Sequence, residues 1–236
     1  MSEKEVSDFI IKYDILFEGK LSRFYNYSRV VSLANFNSTI CHLGINNQNS
    51  VGVISGSESE PELKFLNYDT ICFLNFESDA SFDLDNNWDD KNSQNFSFTI
   101  CNQVLEHVFN PHVAFRNILK QTRNGGYVYI TIPTINRIHG EPYFYSSGFH
   151  PRFLTRLGVE NNLEVIDLGW WGSYKYMINA VSGHWLPEKM LRRGIHQFND
   201  VKFPLQIFKD GCKPDVGENE IITDCWALYK KPENNT

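Results

Sequence analysis

Short apolar runs alternate along the chain with longer segments in which apolar residues recur at helical spacing. The runs have the length of buried strands, and the segments between them have the periodicity of amphipathic helices. We predict helices near 59–67, from Pro111 onward and near 151–160, the second of them capped by Asn110 ahead of the proline. The runs that we predict as strands are 50–55, 70–76, 80–84, 96–101, 127–133, 163–169 and 222–231.

This alternation of strands and helices predicts an α/β fold. It is typical of a mostly parallel sheet with helices on both faces. The last run, 222–231, alternates apolar and polar residues, which favours an antiparallel strand at the edge of the sheet. Ligands bind such sheets at the carboxyl ends of the strands, where Gly56, Asn75, Asp83 and Asn102 fall. We therefore expect the functional site at that end of the sheet.

The first 50 residues form a separate unit in this prediction. Apolar residues near the start recur at spacings of three and four, which predicts helical structure within 3–35, and the polar stretch 36–50 is typical of a boundary. We expect residues 1–50 to be a helical extension that packs on the core or closes over a ligand as a lid. The main domain is then 51–236, with an aromatic-rich insertion at about 170–220.

Composition and charge narrow the class of protein. The 236 residues are 42% apolar, which suits one compact domain, and the net charge of −6 argues against a nucleic-acid partner. The five scattered cysteines contain no CxxC pair, so neither a disulfide framework nor a zinc site is indicated. The charged N-terminus lacks the apolar run of a signal peptide, and no apolar stretch has the length of a membrane span. We expect a cytoplasmic protein.

Three features stand in a fixed order within residues 96–133. VLEHV follows a strand, NP opens the next helix, and a GG turn precedes YVYITIP. In this order they resemble the second half of class I S-adenosylmethionine-dependent methyltransferases. The next segment, TIPTINRIHGEPYFYSSGFHPRFLTRL, is similar to members that modify sugars and surface polysaccharides. The resemblance covers roughly 50–170 and implies a Rossmann-like, mostly parallel seven-stranded sheet with an antiparallel last strand, and S-adenosyl-L-methionine as cofactor.

The glycine-rich loop that follows the first strand in this family is reduced here to one glycine, in VGVISGSESEP. The resemblance places Ser55, Gly56 and Ser57 against the amino-acid part of the cofactor, where small residues let backbone amides come close. The family normally has an acidic residue at the end of the first strand, and Val53 lacks that charge. We expect a narrowed but usable loop.

Further segments match other cofactor-contacting parts of the family. Asn75 stands where a carboxylate normally binds the ribose hydroxyls, and Glu77 follows two residues later. In FDLDNNWDD, the resemblance makes Asp83 the acceptor for the adenine amine and puts Leu84 against the ring, whereas Asp83 by itself also suits a helix cap or a solvated loop charge. The residues expected at the methionine end are Asn102 and Gln103.

Methyl transfer to a sugar hydroxyl requires a base or a metal ion, because a hydroxyl is a poor nucleophile. The sequence shows no clustered metal motif, so we predict no metal and a histidine base instead. His139 is preferred because it lies in the segment similar to sugar-modifying relatives, and His107 is second. A packing or surface-loop role is the alternative for both. His150 and His184 are further candidates.

Aromatic residues before the last strand suggest where the acceptor binds. Trp170, Trp171 and Tyr174 have faces that suit the C–H faces of a sugar, although such residues also bury variable subdomains. His150 and Arg152 are expected to contact the acceptor as well.

Three functions are compatible with these patterns. The first is an S-adenosylmethionine-dependent O-methyltransferase acting on a sugar hydroxyl of a glycan or nucleotide-sugar. The second is a methyltransferase of a small non-sugar metabolite. The third is a degenerate, non-catalytic binding module, suggested by the single-glycine loop and by Asn75. A dinucleotide-dependent dehydrogenase is disfavoured because no GxGxxG follows the first strand.

Overall fold

The computed structural model describes residues 3–23, 25–75, 79–88, 93–172, 177, 205–206 and 222–233. The helices in these ranges are α1 (Glu3–Tyr13), α2 (Lys20–Arg23), α3 (Tyr27–Leu43), α4 (Pro111–Gln121) and α5 (Pro151–Glu160). The strands are β1 (Asn47–Ile54), β2 (Asn67–Leu74), β3 (Phe96–Asn102), β4 (Thr122–Pro133), β5 (Glu164–Trp171), β6 (Leu205–Gln206) and β7 (Asp224–Lys230).

The strands form one sheet in the order β2–β1–β3–β4–β7–β5–β6. β1 pairs in parallel with β2 and β3, and β3 pairs in parallel with β4, whereas β7 is antiparallel to both β4 and β5. The predicted α/β class, the mostly parallel sheet and the antiparallel last strand are confirmed. The chain order reverses at β1, which lies between β2 and β3. Open α/β sheets bind ligands outside the carboxyl ends of the strands at such a reversal.

The predicted strands do not match the observed ones one for one. The 80–84 run forms a short 3-10 helix, Ala80–Phe82, instead of a strand. Phe82 and Leu84 both pack on the core although neither is in a strand. Alternation of apolar residues alone therefore did not distinguish this segment from a strand. The helix predicted near 59–67 is a single 3-10 turn, Pro61–Phe65. The seventh member of the sheet is the two-residue strand β6.

The last strand lies inside the sheet, not at its edge as predicted. β7 is paired on both sides, and its five central residues are buried. The polar positions that suggested an exposed face are at its two ends. This placement puts Asp224, its first residue, beside the end of β4, where it is half-buried.

The predicted boundary at 36–50 is also wrong in its local structure, because α3 continues through it to Leu43. Asn26 caps the start of α3 by accepting the amide of Arg29, and Gly44 ends the helix with a φ of 66°. Two polar residues of α3 donate to a buried carboxylate on β5: Asn35 to Asp167 over 2.6 Å, and Thr39 to Asp167 over 3.0 Å. The helix α3 is therefore part of the layer that covers the sheet. A lid formed by the residues that precede it stays a prediction.

Most of the insertion predicted at about 170–220 lies outside the described residues. In the ranges that are described, no helix combines the length and the apolar character needed to cross a membrane.

Candidate active site

A cavity of about 760 Å³ opens at the carboxyl ends of β1, β2 and β3. Its volume falls within the range of about 300–1,000 Å³ that is usual for small-molecule sites. The residues along its wall that were predicted to bind the cofactor are Ser55, Gly56, Ser57, Asn75, Asp83, Leu84 and Gln103. The structure therefore brings most of that predicted set together around one space.

The loop after β1 has the shape that a close backbone approach requires. Ser55 has a φ of 51°, and its amide donates to Leu74 at the end of β2 over 2.9 Å. The Asn75 side chain donates to the Gly56 carbonyl over 3.0 Å, which fixes the loop from the neighbouring strand. A Cβ on Gly56 would lie 2.7 Å from Val53 Cγ1, so only glycine fits there without a shift.

The segment after β2 forms the apolar wall of the cavity. Leu84 is 5% exposed, and the Trp88 indole donates to the Asp83 carbonyl over 2.6 Å. The Asp83 carboxylate accepts from the Asp85 amide at 3.0 Å and from the Asn86 side chain at 2.8 Å. A carboxylate has about four acceptor sites, so Asp83 keeps acceptor capacity beyond these two bonds.

The two amides after β3 have different surroundings. Gln103 lines the cavity with a φ of 53°, and its side chain donates to Asp224 over 3.4 Å. Asn102 does not line the cavity. Its amide donates to Glu60 at 2.8 Å and to Glu62 at 3.0 Å, behind the wall. A direct cofactor contact of Asn102 is not supported by this placement, since its amide already supports the two carboxylates.

These carboxylates belong to an ionic cluster that the sequence did not reveal. Arg29 of α3 contacts Glu62 through two 2.7 Å pairs and Glu60 at 3.2 Å. The Glu62 side chain is fully buried, and burial raises the pKa of its carboxyl while the Arg29 charge opposes that shift. Glu60 lines the cavity and contributes an acidic group beside Gly56, where the end of β1 lacks one. The 31- and 33-residue separations explain why no local motif showed the cluster.

The candidate bases His107 and His139 meet near the other end of the cavity. Their Nε2 atoms lie 3.2 Å apart with the rings nearly perpendicular, at 86°. His107 lines the cavity, whereas His139 is exposed on the loop after β4. That loop folds back because the amides of Tyr145 and Ser146 both donate to the Glu106 carbonyl, at 3.0 and 3.1 Å.

Glu106 lies beneath this histidine pair. Its side chain is fully buried, and neither carboxylate oxygen has a hydrogen-bond partner among the described residues. Burial, with a smaller contribution from the Asp224 charge, raises the pKa of Glu106 to about 8. Burial likewise raises the pKa of Asp224 to about 6. Such shifts are common at functional sites.

The predicted acceptor contacts that the structure describes do not line the cavity. Trp170 and Trp171 end β5 and are 2% and 1% exposed, so they are core residues without a free face for a sugar, and this prediction is corrected. His150 caps α5 by accepting the Arg152 amide at 3.1 Å; burial, then the Arg152 charge, lowers the pKa of the His150 imidazole. Neither of these two residues lines the cavity. Glu77, Tyr174 and His184 lie outside the described residues.

The fold is that of a class I methyltransferase, and comparison with known proteins gives the family. Residues 25–176 match the sequence profile of a methyltransferase domain, and the chain belongs to that family. Its cofactor is S-adenosyl-L-methionine. No curated protein matches the chain.

Comparison with solved structures gives likenesses at low sequence identity. A Galdieria sulphuraria protein provisionally assigned as a sarcosine dimethylglycine methyltransferase has a TM-score of 0.50 and 10% identity, over 96% of this chain and 99% of its own. The N-methyltransferase NodS of Bradyrhizobium japonicum WM9, solved with S-adenosyl-L-homocysteine, has a TM-score of 0.46 and 9% identity, over 89% and 90% of the two chains. These likenesses do not specify an acceptor.

Proposed function

We propose that the protein is an O-methyltransferase that acts on a hydroxyl of a sugar, as a glycan or nucleotide-sugar. The observation that carries the proposal is the pair of imidazoles, His107 and His139, gathered beside the cavity that suits the cofactor. A hydroxyl acceptor requires a base to take its proton, and a titratable group with a free lone pair supplies one. A neutral amine is already a nucleophile and does not require such a base. A small non-sugar metabolite with a hydroxyl is the alternative acceptor.

The described residues fit the cofactor along the cavity. The lack of a side chain at Gly56 lets the loop pack against Val53 and Glu60 at the cavity wall, Glu60 offers a carboxylate to the ammonium group, and Gln103 offers an amide. The Asp83–Leu84 segment combines an acceptor with an apolar surface for the adenine. When bound, S-adenosyl-L-methionine supplies a methyl group on a sulfonium. The sulfur keeps the electron pair of the broken C–S bond and leaves as a neutral thioether.

The chain's own part is to align the acceptor and to handle its proton. Holding two reactants in the correct geometry removes a large entropic barrier. In the absence of a metal ion, the lone pair on Nε2 of His139 or His107 takes the proton of the hydroxyl as its oxygen bonds to the methyl carbon. The exposed Tyr143 and Tyr145 at the cavity wall offer aromatic faces for a sugar ring, in place of the buried tryptophans.

Replacing Asp83 by alanine is expected to weaken binding of S-adenosyl-L-homocysteine by about 1–3 kcal/mol, the range for a lost hydrogen bond to a charged group. Calorimetry measures this directly. Asp79→Ala is the matched control, because Asp79 makes the same kind of turn, accepting the Ser81 amide at 2.8 Å, but does not line the cavity. Equal affinities for Asp83→Ala and Asp79→Ala would move the adenine site elsewhere.

An acceptor panel tests the proposed substrate. The protein is incubated with radiolabelled S-adenosyl-L-methionine and with nucleotide-sugars, glycans, small amines, RNA or DNA. Label transfer to a sugar hydroxyl is expected, and the net charge of −6 disfavours nucleic acid. Transfer to amines or to nucleic acid, with none to a sugar, overturns the proposed acceptor.

A further inference from the structure

The hydrogen bonds of His107 and His139 define which ring nitrogen carries the proton. His107 Nδ1 lies 2.7 Å from the Tyr143 carbonyl oxygen, and His139 Nδ1 lies 2.8 Å from the Arg137 carbonyl oxygen. A carbonyl oxygen only accepts, so each Nδ1 is the donor. Each neutral ring therefore presents a bare lone pair at Nε2.

These two lone pairs point into the same small space. The Nε2 atoms are 3.2 Å apart, a distance at which two unprotonated nitrogens repel unless a proton or a cation lies between them. Glu106 adds a third acceptor, with Oε1 3.9 Å from His107 Nε2. One ligand atom from each of the three residues lies within 4.8 Å of the others. Independently of the histidines, the Glu106 side chain is fully buried, and neither of its oxygens has a hydrogen-bond partner among the described residues, which points to a ligand for this group.

We propose that Glu106, His107 and His139 bind one divalent transition-metal ion. Two imidazoles and one carboxylate are a common ligand set for catalytic ions, and they leave coordination positions open for a substrate. Two nitrogens bound to one ion at about 2.1 Å lie about 3.0–3.4 Å apart at octahedral to tetrahedral angles, and the observed separation falls within that interval. The backbone carbonyls on both Nδ1 atoms are the outer partners that metal-bound histidines usually have.

The site lies where an ion can reach the acceptor. His107 and Gly140 line the cavity, and Glu106 closes the site from the core. Gly140 has a φ of 67°, and a Cβ there would lie 2.9 Å from His107 Cε1, so the glycine lets the loop approach the ring.

This inference rests on the proposed function and deepens it. An ion held here would bind an acceptor with two neighbouring oxygens, such as adjacent hydroxyls, and would make the bound hydroxyl more acidic. Because the ion would occupy both Nε2 lone pairs, the proton of that hydroxyl would pass to solvent at the exposed side of the site, beside His139. The oxygen would then bond to the methyl carbon as the thioether leaves.

Cobalt binding tests the site without requiring an acceptor. The full chain is treated with a chelator, and Co²⁺ is titrated while its visible absorption bands are recorded. We expect one saturable site per chain in the wild type, and at least a tenfold weaker affinity in both Glu106→Gln and His139→Ala, since even outer partners typically contribute 10–100-fold. His139 is exposed, so its replacement tests the site even if the buried Glu106→Gln variant fails to fold.

The matched control is His112→Ala. His112 Nδ1 also lies 3.9 Å from a carboxylate, that of Glu160, but this pair is exposed and has no second histidine near it among the described residues. Unchanged cobalt affinity in this variant supports the assignment. Saturable binding that Glu106→Gln and His139→Ala leave intact, or no saturable binding at all, overturns it.

The same samples are tested for S-adenosyl-L-homocysteine binding by calorimetry. Cofactor binding without cobalt binding would refute the metal site and support the proposed methyltransferase function. Cobalt binding without cofactor binding would support the metal site and refute that function.

Discussion

His139→Ala is expected to lower methyl transfer 10²–10⁴-fold, the range for loss of a general base, while the affinity for S-adenosyl-L-homocysteine stays nearly unchanged. The reason is geometric: His139 Nε2 faces His107 Nε2 at 3.2 Å, but His139 does not line the cavity. The expectation holds whether the nitrogen receives the proton or binds an ion. Single-turnover rates with the acceptor from the panel, together with calorimetry, separate the two quantities.

The comparison with His107→Ala sharpens this test. His107 lines the cavity, so its replacement is expected to change cofactor affinity as well as turnover. His112→Ala serves as the surface control and should behave like the wild type. If His139→Ala keeps wild-type turnover while His107→Ala loses turnover with its cofactor affinity intact, then His107 alone is the base that takes the hydroxyl proton.

Arg29→Met is expected to lower the free energy of unfolding by about 3–5 kcal/mol, the range for removing one partner of a buried ion pair. The guanidinium is 13% exposed and contacts Glu62, whose side chain is fully buried, so the substitution leaves an unpaired carboxylate in the core. Denaturant unfolding followed by circular dichroism measures the loss.

Arg156→Met is the matched control for that measurement. Arg156 also pairs with a glutamate, Glu160 at 2.5 Å, but its side chain is 73% exposed, and such pairs contribute at most about 1 kcal/mol. The double variant Arg29→Met/Glu62→Gln should be more stable than Arg29→Met, because it no longer buries an unpaired charge. Equal losses in Arg29→Met and Arg156→Met would show that the buried cluster does not hold α3 to the sheet.

Local signals predicted the parts of the fold that local chemistry determines. Asn110 accepts the Val113 amide at 3.2 Å ahead of Pro111, as the capping pattern predicts, and α4 begins there. The apolar runs at β1, β3 and β4 form strands that are mostly buried. A continuous apolar run predicts such a strand because a sheet covered on both faces buries successive side chains.

Tertiary contacts decided the rest. Polar residues of the 36–50 stretch, such as Thr39, suggested a boundary, yet α3 continues to Leu43 and Thr39 donates to Asp167, 128 residues away. Trp171 suggested a surface platform, but it packs on Tyr27 with ring centroids 5.2 Å apart. The sequence around Trp171 does not show that α3, far away along the chain, covers its ring.

The candidate site divides in the same way. Strand ends and the family resemblance placed Gly56, Asn75 and Asp83 around one cavity. His107 and His139 are 32 residues apart and meet because the loop after β4 folds back over the end of β3, and the Arg29 cluster depends on α3. Neither leaves a periodic trace in the sequence.

Calorimetric titration of the wild-type chain with S-adenosyl-L-homocysteine is the decisive test that the cavity at the ends of β1, β2 and β3 binds the cofactor. We expect saturable binding at one site per chain that Asp83→Ala weakens and Asp79→Ala does not. No heat of binding and no thermal stabilisation at millimolar ligand would contradict it.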